Sequence, residues 1–598
     1  MASVTKTKGD LTVTAYVGDR KTLLAFDLAK SATSRLAGFT ILVGPPGVKS
    51  YYILNELQYK TPGNHAQDAT LPANSTINAP IHKFRWLHIP GSAHQGLKPV
   101  YGKYTYTVTP RYFDAHGSML PLDPGKSASV NVDVGPFQKK ALSLGFTRGF
   151  VQSQAFVRHF GLNALIRPAD GELLFDTSKK SGFNANGETF TYEAEYEWLG
   201  FSAREMVFDV LDEVLSNTSR RLDVFAYDLN EPDVIGALLK LAAQGRVRVI
   251  LDNAALHHGS PPKPEDQFET LFRKAAKGTA DILRGKFGRY SHDKIFIVSG
   301  TKGAIKVLTG STNLSVTGLY VNSNHVLLFD DATVAAKYAE LFEEAWNDKA
   351  SAAKFSKSAL AAQAFSFSKG VPSTDVTFSP HLKPFAHATL ADVVARIEKE
   401  KKAPKSTASV LFAVMQIATG TGPVFPALRA LHSSQDIFTY GISDSPGGIA
   451  LYRPKSRKGV LVTGKPGNTI LPPPFRQVPS VGGGHQVHHK FVVCGFNGSD
   501  PVVYCGSSNL AETGEEVNGD NLLAIHDGDV ATAFAIEALS LVDHFDFLDR
   551  SSKPKAAKSA SKVKAALAAG WFLSTDDGWT KPYYDASDLR SVDRKLFA

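Results

Sequence analysis

A multidomain fold, with an all-β sandwich at the N-terminus followed by two α/β units, is what this sequence predicts. Three observations lead there. The first 137 or so residues carry a period-two hydrophobic pattern, strand–helix alternation begins near residue 206, and residues 292–331 recur as 488–527.

In the N-terminal stretch Leu11, Val13, Ala15 and Val17 alternate with polar residues, as do Tyr104, Tyr106 and Val108, and then Val130, Val132 and Val134. Alternation of this kind buries one face of each strand. Turn clusters such as Gly44-Pro45-Pro46-Gly47 separate the runs, as in a small β-sandwich over 1–137. Residues 138–205 are aromatic-rich without a clear period and read as a bridging segment. Then Arg221–Tyr227 reads as a strand, Asp233–Ala243 as a helix and Val247–Leu251 as a strand, a βαβ grammar that implies a helix-covered sheet over 206–350. The grammar returns over 407–550, with Ser409–Met415 as strand, Phe425–Leu431 as helix and Asp436–Tyr440 as strand. Between them 351–406 reads as an Ala/Ser/Lys-rich connector. The end, 551–598, reads as a basic tether and a tail whose Trp571, Trp579, Tyr583 and Tyr584 dock back on the body.

Composition sets the outer bounds. The chain has 598 residues, 43% hydrophobic and 21% charged, which excludes a mostly disordered or fibrous protein and allows three to five lobes. A formal charge of +9 and a pI near 9.1 permit an anionic partner without demanding one. Two cysteines, Cys494 and Cys505, exclude a disulfide scaffold and a multi-cysteine zinc site, and read as small buried side chains. The N-terminus has no apolar segment of a secretory signal, and no run of 18 apolar residues occurs, so a soluble, cytoplasmic protein is expected.

The duplication carries the chemistry. At a constant offset of 196, His292-Asp293-Lys294 falls on His488-His489-Lys490, and Gly310-Ser311-Thr312-Asn313 on Gly506-Ser507-Ser508-Asn509. Thirteen of the 40 columns are identical, and most of these are polar residues or glycine. A fold kept for its own sake would retain core aliphatics first, so the shared residues point to a shared chemical task. Strand alternation puts His292 and Lys294 on one face, and likewise His488 and Lys490. The Gly-Ser-x-Asn step follows a second strand-like run, Ile305–Leu308 in the first copy, which can lie beside the first. Two such sets facing each other offer two imidazoles, two ammonium groups and two carboxamides. Those groups suit a phosphodiester: the cations and amides hold its oxygens, one imidazole attacks phosphorus, and the other protonates the leaving oxygen. Nothing in the motif requires a metal or a cofactor.

Paired H-x-K…G-S-x-N motifs resemble the phospholipase D superfamily, over about 206–550. The resemblance implies two α/β/α lobes related by a pseudo-twofold axis, with the site between them. It assigns His292, Lys294, Asn313, His488, Lys490 and Asn509 to the phosphate site, with Ser311 and Ser507 in support. Asn322 and Asn518, at matched places further on, either orient the site or cap a turn. Many members carry an Asp five residues after the Lys, where this chain has Ser299 and Gly495; the tyrosyl-DNA phosphodiesterase branch also lacks it. Aspartates elsewhere, such as Asp228, Asp331 or Asp527, can orient a histidine, and the sequence alone does not choose among them.

Other residues read more plainly. His485 and His489 are taken as structural, Gly482-Gly483-Gly484 as a hinge, and Phe287 and Tyr290 as core. Arg453, Lys455, Arg457 and Lys458 form a basic loop, solvated or else a contact to a substrate backbone. The expected function is a metal-independent phosphodiesterase working through a phosphohistidine, with His292 as nucleophile and His488 as general acid. The basic pI and the missing Asp favour nucleic acid over phospholipid headgroups as substrate. A catalytically inactive scaffold is the alternative of another class, and the N-terminal sandwich suits a protein or ligand partner under either reading.

Overall fold

The computed structural model describes every residue except 1–2, 92–93, 150–152, 405, 416, 418–419, 432–436, 445–459, 464–486 and 553–571. The basic loop around Lys455, the glycine run, His485, Trp571 and nearly all of the basic tether therefore lie outside the described residues. The chain is multidomain, with many sheets and helices.

The N-terminal residues build two four-stranded antiparallel sheets. One orders Ser3–Lys8, Leu11–Val17, Thr22–Leu28 and Arg85–His88; the other Tyr51–Tyr52, Leu36–Gly44, Gly102–Tyr112 and Ala128–Val134. In the last strand Ala128, Val130, Val132 and Val134 are buried while Ser129, Asn131 and Asp133 are exposed. Both sheets turn their apolar faces into one core with Val13, Phe26, Phe39, Ile41 and Tyr106. The aromatic tail docks on this core: Trp579 stacks on His82 at 4.8 Å, its Nε1 donates to Leu36 O at 3.0 Å, and Tyr583 and Tyr584 pack on Phe84.

The rest of the chain builds two eight-stranded mixed sheets. The first runs Asp281–Gly285, Val247–Asp252, Arg221–Ala226, Ile295–Gly300, Gly303–Gly310, His325–Phe329, Leu142–Phe146, Phe137–Lys139. The second, read from its far edge, runs Val460–Thr463, Phe438–Asp444, Ser409–Met415, Phe491–Cys494, Val502–Gly506, Asp520–His526, Ser373–Ser379, Phe365–Phe367. Strand directions correspond throughout: the first three are mutually parallel and each later neighbour is antiparallel. In the first sheet the parallel step is crossed by the helix Pro232–Ala243, as a parallel connection requires.

Each sheet begins earlier in the chain than the alternation suggests. Residues 137–146, in or beside the stretch read as a bridge, form the hairpin that ends the first sheet. Residues 365–379, in the stretch read as a connector, end the second. These strands are short, and Leu142–Phe146 pairs with His325–Phe329, far off in sequence. Their identity is set by that partner rather than by their own period. The long helix Gly528–Ser552 lies between the two sheets, where Phe534 meets Phe146 of one at 5.3 Å and Phe491 of the other at 5.0 Å. One continuous core thus spans both sheets. Among the described residues no helix is long and apolar enough to cross a membrane.

Candidate active site

The two sheets meet through matched backbone contacts. Ser291 bridges Gly519, and Ser323 bridges Val487, pairs related by the same offset of 196 as the sequence repeat. Next to them His292 N donates to Gly519 O at 2.9 Å and His488 N to Ser323 O at 3.1 Å. Each histidine is therefore pinned by a segment from the other half of the repeat, with Lys294 and Lys490 beside them.

The side chains repeat the exchange with one chemical difference. His292 Nδ1 donates to Asp520 Oδ1 at 2.6 Å, whereas His488 Nδ1 donates to Asn324 Oδ1 at 2.8 Å. Asn324 occupies the column of Asp520 in the repeat. Its Nδ2 is engaged with Gly318 O at 2.8 Å, which turns its oxygen towards His488. Facing these oxygens, Nδ1 carries the proton in each neutral ring, which leaves the lone pair on Nε2. One ring leans on a carboxyl group and the other on a neutral amide. Burial, with Lys294 and Lys490 nearby, holds the His292 imidazole well below its usual range, hence as the free base at neutral pH. Burial pushes Asp520 up to about 7, against the pull of Lys294.

Lys294 and Lys490 point into the same seam and are almost fully buried. Lys294 Nζ bonds His292 O and lies 4.7 Å from the centre of the Tyr227 ring. Lys490 Nζ bonds His488 O at 2.9 Å and lies 3.3 Å from His488 Nε2. Burial lowers Lys294 to about 8, partly opposed by Asp520 and Asp293. It lowers Lys490 further, with Lys294 adding repulsion. Asn313 and Asn509 each have a buried Oδ1 with no hydrogen-bond partner. Buried amide oxygens are rarely left so, and these two stand at matched positions of the repeat.

A buried polar layer lies beneath. Asp293 Oδ1 accepts from Asn521 Nδ2 at 2.7 Å and from Ser507 Oγ at 3.3 Å, and the Asp293 carboxyl is pushed up to about 7 by burial and by Asp520. At the matched place in the other lobe His489 stacks on His325, with Nδ1 atoms 3.3 Å apart. His325 also meets Ser311 Oγ at 3.2 Å, and His489 Nε2 lies 3.5 Å from Glu537, which pairs with Lys21 of the N-terminal sheets. A line of buried polar contacts therefore runs from the first domain to the Gly-Ser-x-Asn turn.

Most of the residues named from the sequence gather here. Ser311 Oγ donates to Asn324 Oδ1 at 2.8 Å, and Ser507 Oγ supports Asp293. Asn518 Nδ2 reaches Asp520 Oδ2 at 3.3 Å, so it steadies the carboxyl group; Asn322 bonds through its backbone, to Thr147 and Thr317. Phe287 is buried, and Tyr290 packs edge-on against Tyr227. Cys494 and Cys505 are buried and free, with burial pushing Cys494 up to about 12.

The orienting acid is one that the sequence reading did not name. Asp331 and Asp527 instead cap helix starts, accepting from Thr333 N and Val334 N and from Asp529 N and Val530 N. Asp228 lies beyond Tyr227, in a separate cluster. Asp520 was visible in the repeat as the Asn324/Asp520 column, a polar pair inside a run that becomes a buried strand. The missing motif Asp also has a physical reason in the second copy. Gly495 has φ +61°, and a Cβ there would sit 2.6 Å from Glu400 Oε1, so an aspartate would be strained and would have to displace the Glu400 carboxylate.

This geometry has a pH consequence. The Lys294 ammonium, lowered to about 8, is present below that pH and lost above it. If Lys294 and Lys490 both hold a substrate phosphate, kcat/KM should already be falling by about pH 8 on its alkaline side, because Lys490 is lowered further than Lys294. A profile flat up to the ordinary lysine value of about 10.4 would remove Lys294 from phosphate binding.

Comparison with known proteins gives the following. Residues 211–346, which hold the first H-x-K…G-S-x-N set, match the family model described as cardiolipin synthase, PLD-like domain. Three solved structures are similar over parts of the chain. Polyphosphate kinase from Porphyromonas gingivalis is 12% identical, with 62% of this chain and 52% of that chain covered and a TM-score of 0.37. The chain thus spans about half the length of that protein. Phosphatidylserine synthase from Haemophilus influenzae Rd KW20 is 9% identical, covering 66% and 93%, with a TM-score of 0.37. Yeast tyrosyl-DNA phosphodiesterase is 9% identical, covering 54% and 87%, with a TM-score of 0.28. The search of curated proteins finds no match. With its first motif set inside the matched residues, the chain carries a phospholipase D-like domain.

Proposed function

We propose that this protein is a phosphodiesterase that works through a phosphohistidine on His292. The scaffold we infer is a β-sandwich over 1–137 followed by two α/β/α lobes related by a pseudo-twofold axis, a reading supported by the repeated strand order. The observation that carries the function is the unequal pairing across the seam, His292 with Asp520 and His488 with Asn324.

A nucleophile that becomes a cation needs a carboxylate behind it. His292 Nε2 attacks phosphorus, the bond from phosphorus to the leaving oxygen breaks, and the ring becomes a phosphorylated imidazolium that Asp520 steadies through Nδ1–H. A proton donor must instead gain and lose charge easily. Asn324 fixes the His488 ring by accepting from Nδ1–H without adding charge. His488 enters the first half as the imidazolium, gives its Nε2 proton to the leaving oxygen and becomes the neutral Nδ1–H ring; Nε2 then takes a proton from water as that water attacks phosphorus and displaces His292. Lys294, Lys490, Asn313 and Asn509 hold the non-bridging oxygens throughout, with Ser311 and Ser507 beneath them.

Asp520→Asn should therefore lower kcat by about 10²–10⁴-fold while changing KM little, because it removes charge behind the ring and keeps the hydrogen bond. An equal rise in KM with kcat intact would contradict this assignment. The substrate we favour is nucleic acid, consistent with the pI near 9.1. Purified protein in excess EDTA should turn over single-stranded DNA, RNA or duplex DNA, and lose that turnover in both His292→Asn and His488→Asn. Turnover of phosphatidylcholine vesicles alone would move the substrate to phospholipid headgroups. No turnover on any of them, with binding unchanged in the variants, would favour the scaffold reading.

A further inference from the structure

Beyond the Tyr227 ring lies a second polar cluster that the phosphodiesterase steps do not use. The ring is 4.7 Å from His292 on one side and 4.3 Å from His257 on the other. His257 sits in the loop after the strand Val247–Asp252, Asp228 just after the strand Arg221–Ala226, and Glu265 in the first turn of the helix Pro264–Ala275. The cluster thus gathers at the carboxyl ends of two parallel strands, where open α/β sheets bind ligands.

Three features distinguish it from an ordinary ion-pair network. First, one ligand atom from each of Asp228, His257 and Glu265 lies within 4.8 Å of the others, yet His257 pairs with neither carboxylate. Two ligands of one cation, at bond lengths of about 2.0–2.2 Å, stand up to roughly 4.4 Å apart, so this spacing is close to that of a shared ion. Second, His257 Nδ1 donates to Asp252 Oδ2 at 2.9 Å, and Asp252 is itself held by Ser291 N at 2.6 Å and Ala254 N at 2.9 Å. A carboxylate behind a histidine in this way sets the ring so that Nε2 presents a lone pair, the arrangement behind most metal-bound histidines. Third, Glu265 is 1% exposed, and one of its oxygens accepts from Leu229 N at 3.0 Å. With Asp228 beside it, this buried carboxylate concentrates negative charge that a cation would compensate.

We infer that Asp228, His257 and Glu265 form a binding site for one divalent transition-metal cation, of the Zn²⁺ or Mn²⁺ class. One imidazole and two carboxylates suit those ions, whereas Ca²⁺ takes oxygens alone. The two carboxylates match the charge of the ion, which ties the loop 253–263 to the strand end and the helix. The phosphodiester steps route no charge through it, so the site stands or falls apart from the proposed reaction.

The test is binding, read without turnover. Full-length protein stripped with a chelator is titrated with Zn²⁺ by calorimetry and with Mn²⁺ by electron paramagnetic resonance. One saturable equivalent is expected. It should weaken by about tenfold or more in both Glu265→Gln and Asp228→Asn. His387→Gln, in the exposed cluster with Glu512 and Glu516, should leave it unchanged; there the imidazole already pairs with Glu512 at 2.7 Å. Glu265→Gln keeps an acceptor for Leu229 N, and Asp228→Asn alters a half-buried position, so at least one variant should remain folded. No saturable binding, binding indifferent to both substitutions, or binding lost only in His387→Gln would overturn the site.

Discussion

His488→Asn protein should consume about one equivalent of an activated phosphodiester and then stop, with the phosphoryl group bonded to His292. The two halves of the proposed reaction make different demands on His488. An activated aryl ester leaves without a proton, so His292 can still attack and form the phosphorus–nitrogen bond. The second half needs a base to take a proton from water, and an asparagine offers none. Steady-state turnover should fall by about 10²–10⁴-fold, while a burst of the aryl leaving group survives. His292→Asn should show neither burst nor adduct. Mass spectrometry of the protein digested under mildly basic conditions locates the adduct. An adduct on His488 in the His292→Asn protein would reverse the two roles, and no adduct in either variant would remove the covalent route. The asymmetry behind the forecast is a single column of the repeat, Asp520 against Asn324.

Lys21→Met should cost stability on a scale large for any single substitution. Lys21 Nζ pairs with Glu537 in a fully buried setting, where Glu537 also faces His489. The Lys21 ammonium, helped by a hydrogen bond from His489, holds the Glu537 carboxyl down at about 2 despite its burial. Removing Lys21 leaves a buried carboxylate short of its main partner, a loss of about 3–5 kcal/mol. Replacing both partners, as Lys21→Met with Glu537→Leu, should recover much of it, because the uncompensated charge is gone. The wild-type contribution is present above the unfolded glutamate value of about 4.3 and is lost as pH falls towards 2, since the folded pKa is the depressed one. Denaturant unfolding of the three proteins at neutral and acidic pH checks both points. Equal stability of the single and double variants would mean that the pair carries no weight. Because His489 stacks on His325, and His325 touches Ser311, Lys21→Met should also lower activity in protein that is still folded.

Much of this molecule is legible in its sequence. The strands Leu11–Val17 and Ala128–Val134 announce themselves by alternation because one face of each is buried and the other is not. The parallel strands Arg221–Ala226 and Val247–Asp252, with the helix between them, follow from the switch of hydrophobic period. The pairing of His292 and Lys294 with His488 and Lys490 follows from their recurrence at one spacing. Strand Ser373–Ser379 is a different case: its place is decided by pairing with Asp520–His526 across a long stretch of chain, and no local pattern encodes that.

The sequence by itself determined the duplication, the groups available to a phosphodiester and the boundary between β and α/β grammar, because these depend on residue type and short-range period. Only the tertiary structure decided which acid stands behind which histidine. Asp331 and Asp527 looked as eligible as any, but each spends its carboxylate on the start of a helix. Asp520 reaches His292 because Gly519 is bridged to Ser291 across the seam, where the two sheets exchange partners over more than 200 positions of chain. The packing of two sheets around the helix Gly528–Ser552 sets that exchange, and packing is a property of surfaces brought together, which a linear pattern does not record.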